Sequence, residues 1–144
     1  MCRSMSVALG SPECRPPIAR RPSELTARTV GSVKVFLLGD TGAIGGRATG
    51  ALVAAGHDVS ALARTPEKAA VLRAQGASPV LVSIFDRAAL QEAFAGHDAV
   101  VNLATSMPTM ATFVFRRAWR PAERIRIEGS AAVVDAAVAV RVER

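Results

Sequence analysis

The stretch VFLLGDTGAIGG (residues 35–46) decides the fold of this 144-residue chain. It begins as a short apolar run, which is typical of a buried strand in a parallel sheet. The run ends at Gly39, and Gly42 and Gly45 follow at intervals of three residues. Small residues then predict a helix over 42–55, which Gly56 ends as a C-terminal glycine. The segment therefore predicts a strand, a glycine-rich turn and a helix.

Outward from this stretch, apolar strands alternate with helices. Thr65 and Pro66 supply an N-cap and a first-turn proline for the second helix, Gly76 ends it, and Asp86 caps the third. The predicted strands are 33–38, 58–63, 79–84 and 98–104, and the predicted helices are 42–55, 66–75, 87–94 and 122–140, with an irregular stretch over 105–123.

This alternation predicts an α/β fold, namely a Rossmann-type doubly wound parallel sheet of about four strands in the order 3-2-1-4. The pattern stops before a fifth strand, so we expect an incomplete domain over residues 33–144. The fourth strand is then expected to have an open edge, and the last helix an uncovered apolar flank.

Two segments of similar sequence support this assignment. AAGHDVSALA (54–63) and FAGHDAVVNLA (94–104) share a helix end, Gly-His-Asp and an apolar strand. Each pattern predicts a tight helix-to-strand junction with a left-handed glycine. The two His-Asp pairs would lie in turns at different crossovers, so a metal site is not predicted.

The basic excess of the chain lies in its two flanks. Residues 1–32 carry five Arg against two Glu, residues 33–110 carry six basic and six acidic side chains, and residues 111–144 carry seven Arg against four acids. The first segment, rich in Pro, Arg and Ser, predicts a disordered basic extension. Aromatic residues make up only 4% of the chain and Tyr is absent. This distribution disfavours nucleic-acid binding, which usually combines clustered cations with stacking aromatics.

The sequence also predicts a cytoplasmic location. No apolar run approaches the ~18 residues of a membrane span, and the N-terminal apolar run MSVALG is too short for a secretory signal. Cys2 and Cys14 match no zinc-ligand spacing, so we expect free thiols in a reducing compartment.

The three glycines have the spacing and the context of a turn that holds a dinucleotide. Gly39 would turn the chain sharply off the strand, Gly42 would let backbone amides approach a pyrophosphate, and Gly45 would let the helix pack close to the sheet. A tight turn without a ligand is the alternative interpretation. The end of the second strand bears on the cofactor, since an acid there suits NAD and a cation suits the 2′-phosphate of NADP. Arg64 at that place favours NADP over NAD, and a solvated surface arginine is the alternative.

Four segments, VFLLGDTGAIGG, VSALART, DAVVNLAT and EGSAAVVDAA, together resemble the amino-terminal part of the short-chain dehydrogenase/reductase superfamily. Within it, the chain is similar to the extended or atypical branch of NAD-dependent epimerase/dehydratase and NAD(P)H-binding proteins. The resemblance implies that Arg64 meets the adenosine ribose. It also implies a cradle for the pyrophosphate, formed by Gly39, Thr41, Gly42, Ile44 and Gly45. The ribose and nicotinamide side would be lined by Leu103, Ala104 and Thr105.

The chain departs from this family at several positions. Asp40 stands where the family usually has a small neutral residue, and Ser83 and Ile84 stand where an Asp often lies beside the adenine. The chain contains no Tyr, and its last lysine is Lys68, so the Tyr-x-x-x-Lys acid/base pair is missing. We therefore expect the NAD(P)-binding portion of an oxidoreductase or epimerase, without its catalytic half. The alternatives are a non-catalytic nucleotide-binding module and a module completed by a second chain at the open sheet edge.

Overall fold

The computed structural model describes residues 31–40, 42 and 44–143. Over these residues, parallel strands and helices alternate along the chain. The strands are β1 (Lys34–Leu38), β2 (Asp58–Ala63), β3 (Ser78–Leu81) and β4 (Ala99–Asn102). The helices are α1 (Gly45–Ala54), α2 (Pro66–Ala74), α3 (Arg87–Phe94), a 3₁₀ helix (Arg116–Trp119), α4 (Arg120–Arg124), a π-helical turn (Ile125–Gly129) and α5 (Ser130–Ala139).

The four strands form one parallel sheet in the order β3-β2-β1-β4. In its register, Val35 of β1 lies opposite Val59 of β2 on one side and Ala99 of β4 on the other. The predicted order 3-2-1-4 is confirmed. The chain adds β2 and β3 on one side of β1 and then crosses to place β4 on the other. Open α/β sheets bind their ligands at such a reversal, in the crevice outside the carboxyl ends of the strands.

Helices cover both faces of the sheet, and the side chains of β1 point alternately to one face and to the other. Phe36 and Leu38 pack into a core with residues of α3 and α5, including Phe94 and Val133. Leu37 points the other way, into a core shared with α1 and α2. The doubly wound architecture predicted from the sequence is therefore confirmed.

Several element boundaries differ from the prediction. Helix α1 begins at Gly45 rather than at residue 42, because Gly42 first closes a turn by donating its N–H to the carbonyl of Gly39 at 3.2 Å. Strand β3 ends at Leu81, the residue paired with Ala63 at the end of β2. Residues 82–84 were predicted as strand, but they extend past the end of that neighbour.

The last helical segment begins earlier than predicted. The 3₁₀ helix at Arg116–Trp119 lies within the stretch expected to be irregular, and helical structure then continues to Ala139. The 3₁₀ helix has no buried residue, and burial begins with Ala122 in α4. A Cβ built on Gly129 would lie 3.3 Å from Cδ1 of Ile84. The π-helical turn therefore lies against the segment after β3.

The two Gly-His-Asp junctions have the same construction, as predicted. Gly56 and Gly96 are left-handed, with φ of 84° and 75°. The amides of Asp58 and Asp98 donate to carbonyls of Val33 and Lys34 at 3.1 and 2.9 Å. Within residues 31–40, 42 and 44–143, no group of three or more His, Cys, Asp or Glu side chains could hold a metal ion.

One side of the domain carries exposed apolar groups. Among the described residues, β4 pairs with β1 alone, and Val134 and Val138 of α5 are exposed. The second chain predicted at this edge stays a prediction. No helix in the described part of the chain is long and apolar enough to cross a membrane. The predicted extension over 1–32 and both cysteines lie outside the described residues, apart from residues 31 and 32.

Candidate functional site

The glycine-rich turn lies at the carboxyl end of β1, beside the segment that follows β4. Gly39 has φ +83°, a backbone conformation that residues other than glycine rarely adopt. A Cβ built there would lie 2.5 Å from the backbone nitrogen of Ala104 and would also overlap the carbonyl of Leu103. A glycine at this position therefore brings the turn into contact with the segment after β4.

Gly45 brings helix α1 equally close to the turn. A Cβ built on Gly45 would overlap the carbonyl oxygen of Gly39 and would lie 2.6 Å from Cα of Asp40. The helix can start against the turn only because this atom is absent. The preceding residue, Ile44, is the N-cap and offers no side-chain hydrogen bond to the helix. The residue is 74% exposed, so its side chain does not cap the first amides of α1, which form the positive end of the helix.

A cavity of about 530 Å³ opens at this end of the sheet. Its walls come from the glycine turn, from the end of β2, from the segment after β4, from residues 81–85 at the end of β3 and beyond it, and from the π-helical turn. Six of the predicted site residues line it together, namely Gly39, Gly42, Arg64, Leu103, Ala104 and Thr105.

The other predicted site residues lie elsewhere. Ile44 and Gly45 form the start of α1, adjacent to Gly42, and are not among the residues that line the cavity. Thr41 lies outside the described residues.

The cavity also includes residues that the sequence analysis did not assign to it. Lys68 comes from the first turn of α2, and Phe85 and Ile125 close the side beyond β3. The guanidinium of Arg124 lies 4.4 Å from the centre of the Phe85 ring. Among these residues, only Lys68 could have been found from the local sequence. It follows Arg64 by four residues and lies in the first turn of the helix that Thr65 caps. Nothing in the local sequence places Ile125 opposite the glycine turn.

The positions that depart from the family pattern all lie on this cavity. Asp40, Ser83 and Ile84 line it. The hydroxyl oxygen of Ser83 accepts a hydrogen bond from the N–H of Phe85 at 3.3 Å, within its own loop. The nearest acid after β3 is Asp86, and its carboxylate caps α3 by accepting from the N–H of Ala89 at 3.1 Å. The end of β3 therefore presents no carboxylate from residues 82–85.

Charges of both signs line the cavity. Arg64 and Lys68 are the cations that line it, and Asp40 is the anion. Burial raises the pKa of the Asp40 carboxyl above its usual value, while a backbone hydrogen bond and the charges of Lys68 and Arg64 act in the opposite direction. The cavity thus combines a glycine turn, two cations and one buried acid.

Comparison with known proteins gives a consistent result. Residues 39–144 match the model of a family described as NAD(P)H-binding. The chain is 34% identical over 113 residues to a ketoreductase from Stigmatella aurantiaca that acts on 4-hydroxy-2-methyl-3-oxo-4-farnesyl-3,4-dihydroquinoline-1-oxide, covering 78% of this chain and 32% of that protein. It is also 34% identical over 106 residues to L-arabinose 1-dehydrogenase (NAD(P)(+)) of Haloferax volcanii, covering 72% of this chain and 37% of that protein.

Solved structures show the same architecture. UDP-glucose-4-epimerase from Stenotrophomonas maltophila, which was solved with bound NAD, superposes with a TM-score of 0.64 at 23% identity, over 76% of this chain and 34% of that one. The Bordetella bronchiseptica enzyme WbmH, in complex with NAD+, superposes with a TM-score of 0.58 at 25% identity, over 78% of this chain and 37% of that one. The chain thus spans about a third of the length of the relatives described here.

Proposed function

Because this chain belongs to the NAD(P)H-binding family, we propose that the cavity at the carboxyl end of its sheet binds NADP in preference to NAD. The observation that carries the proposal is that the glycine turn and two cations line one cavity, namely Gly39, Gly42, Arg64 and Lys68. The glycine turn suits the diphosphate of either dinucleotide, while two cations beside the end of β2 suit the extra phosphate that distinguishes NADP.

The residues present fit such a cofactor. Because Gly45 has no Cβ, α1 begins in contact with the glycine turn, which lines the cavity. The amides at the start of α1 would then hold the diphosphate. Arg64 and Lys68 would hold the 2′-phosphate, with charge-assisted hydrogen bonds. Residues 103–105 would line the ribose and nicotinamide side. The role of Thr41 in the cradle stays a prediction.

When bound, a nicotinamide dinucleotide supplies a ring that accepts or donates a hydride. The contribution of these residues is to bind and orient it. The 144 residues contain no Tyr, so the Tyr-x-x-x-Lys pair implied by the resemblance is not found within them. We therefore propose that this chain carries the cofactor-binding portion of an oxidoreductase or epimerase and not its acid/base pair. The predicted cytoplasmic location stays a prediction.

Calorimetric titration of the full chain with NADPH and with NADH tests this function. We expect NADPH to bind roughly 10- to 100-fold more tightly, because phosphate contacts to cations contribute about 1.5–3 kcal/mol. Circular dichroism of the same sample shows whether it is folded. Equal affinities would refute the NADP preference, and a folded sample that binds neither dinucleotide would refute the cofactor assignment as a whole.

A further inference from the structure

Asp40 is a buried acid in the turn that faces the cofactor cavity. It directly follows Gly39, and only 2% of its surface is exposed. Its Oδ2 atom has no hydrogen-bond partner among the described residues. A buried carboxylate without a partner is costly, so such a group needs either a proton or a nearby cation.

Two cations face Asp40 without forming an ion pair with it. Lys68 approaches from α2 and Arg64 from the segment after β2, and both lower the pKa of the Asp40 carboxyl against the larger effect of burial. The described ion pairs, formed within 4.0 Å, are Arg87–Asp135 and Arg124–Glu128. The other described groups beside Asp40 are uncharged, namely Gly46 of α1, whose backbone lies against that of Asp40, and residues 103–104 after β4, which line the same cavity.

Lys68 also reaches a second space behind the turn. A smaller cavity of about 290 Å³ lies between α1 and α2, and Asp40, Lys68 and Gln75 line it together. The amide oxygen of Gln75 is buried and, like Oδ2 of Asp40, has no donor among the described residues. The Lys68 ammonium has three donors. Among the described residues, Lys68 is the side chain with donors that borders both this space and the cofactor cavity.

We propose that Asp40 couples NADPH binding to the uptake of one proton, since the 2′-phosphate draws Lys68 and Arg64 towards itself and leaves the Asp40 carboxylate uncompensated beside a diphosphate. This inference rests on the proposed function. The step is a simple protonation, in which the proton comes from solvent and converts the carboxylate to the neutral acid. The affinity for NADPH then falls as the pH rises, because the ionised carboxylate repels the phosphates.

The matched variants are Asp40→Asn and Asp58→Asn. The first removes the buried charge with little change of shape, and the second removes an exposed carboxylate at the opposite end of the sheet. Between about pH 5 and pH 8, we expect the wild type and Asp58→Asn to weaken for NADPH more steeply than Asp40→Asn. Near pH 8, Asp40→Asn should bind NADPH roughly tenfold more tightly than the wild type.

Proton uptake is measured by repeating the calorimetric titration near pH 8 in two buffers of different ionisation enthalpy. The 2′-phosphate itself titrates near pH 6, so the quantity that matters is the difference between proteins. We expect the wild type and Asp58→Asn to take up more protons than Asp40→Asn, by up to one per NADPH.

Equal uptake and equal pH profiles in all three proteins would overturn the inference while leaving the cofactor assignment intact. Absence of NADPH binding in all three would refute the proposed function instead. If Asp40→Asn does not fold, Asp40→Ser supplies the same comparison with a smaller neutral side chain. A ratio of the Asp40→Asn affinity to the wild-type affinity for NADPH that stays constant from about pH 5 to pH 8 would also overturn the inference.

Discussion

Replacement of Gly45 by alanine is expected to destabilise the domain by about 2–3 kcal/mol, the range of severe overpacking in a close-packed core. The added Cβ would overlap the carbonyl oxygen of Gly39 and crowd Cα of Asp40, and both are backbone atoms that cannot rotate away. Helix α1 must then move off the turn. Because this movement also displaces the amides proposed to hold the diphosphate, NADPH binding should be lost together with stability.

Gly50 provides the matched control within the same helix. A Cβ built on Gly50 meets nothing within 4 Å, so Gly50→Ala should instead stabilise the protein by about 0.5–1 kcal/mol through helix propensity. Urea denaturation followed by circular dichroism measures both changes. Equal stability of the two variants would mean that α1 does not rest against the turn as the structure has it.

Replacement of Arg64 by alanine is expected to weaken NADPH binding by roughly 10- to 100-fold, the loss expected for a charged hydrogen-bonding partner. NADH lacks the 2′-phosphate, so its affinity should change by less than about twofold. Calorimetric titration of wild type and variant with both dinucleotides measures the change.

The control for Arg64→Ala is Arg73→Ala, which removes an exposed cation from the last turn of α2. Arg73 does not line the cavity. Arg73→Ala should change the affinities for NADPH and NADH by less than about twofold, since salt largely screens an exposed charge outside the cavity. A parallel loss of NADPH and NADH affinity in Arg64→Ala would contradict a role in recognising the 2′-phosphate.

Local sequence signals account for the parts of the fold that were predicted accurately. Strand β2 and helix α3 have the predicted bounds, because a glycine or a cap lies beside each of their ends. Thr65 and Asp86 do cap their helices, accepting from backbone amides three residues on. The glycine turn was recognisable for the same reason, since its spacing is a property of a few consecutive residues.

Features that depend on distant partners were not predictable in this way. Strand β3 ends at Leu81, where its neighbour β2 ends at Ala63. The sequence of β3 itself does not indicate this end point. Ile125 reaches the cavity through a π-helical turn that follows from packing rather than from a local motif. The sequence marked Asp40 as unusual, but its burial and its missing partner emerge only from the three-dimensional arrangement.

The central claim is that the start of α1 and the glycine turn face a bound diphosphate. Titration of the ¹⁵N-labelled full chain with NADPH, followed by NMR, tests it most directly. The amides of Gly42, Ile44 and Gly45 should show the largest shifts, accompanied by those of residues 103–105. Binding that shifts other amides while these three stay unmoved would contradict the claim.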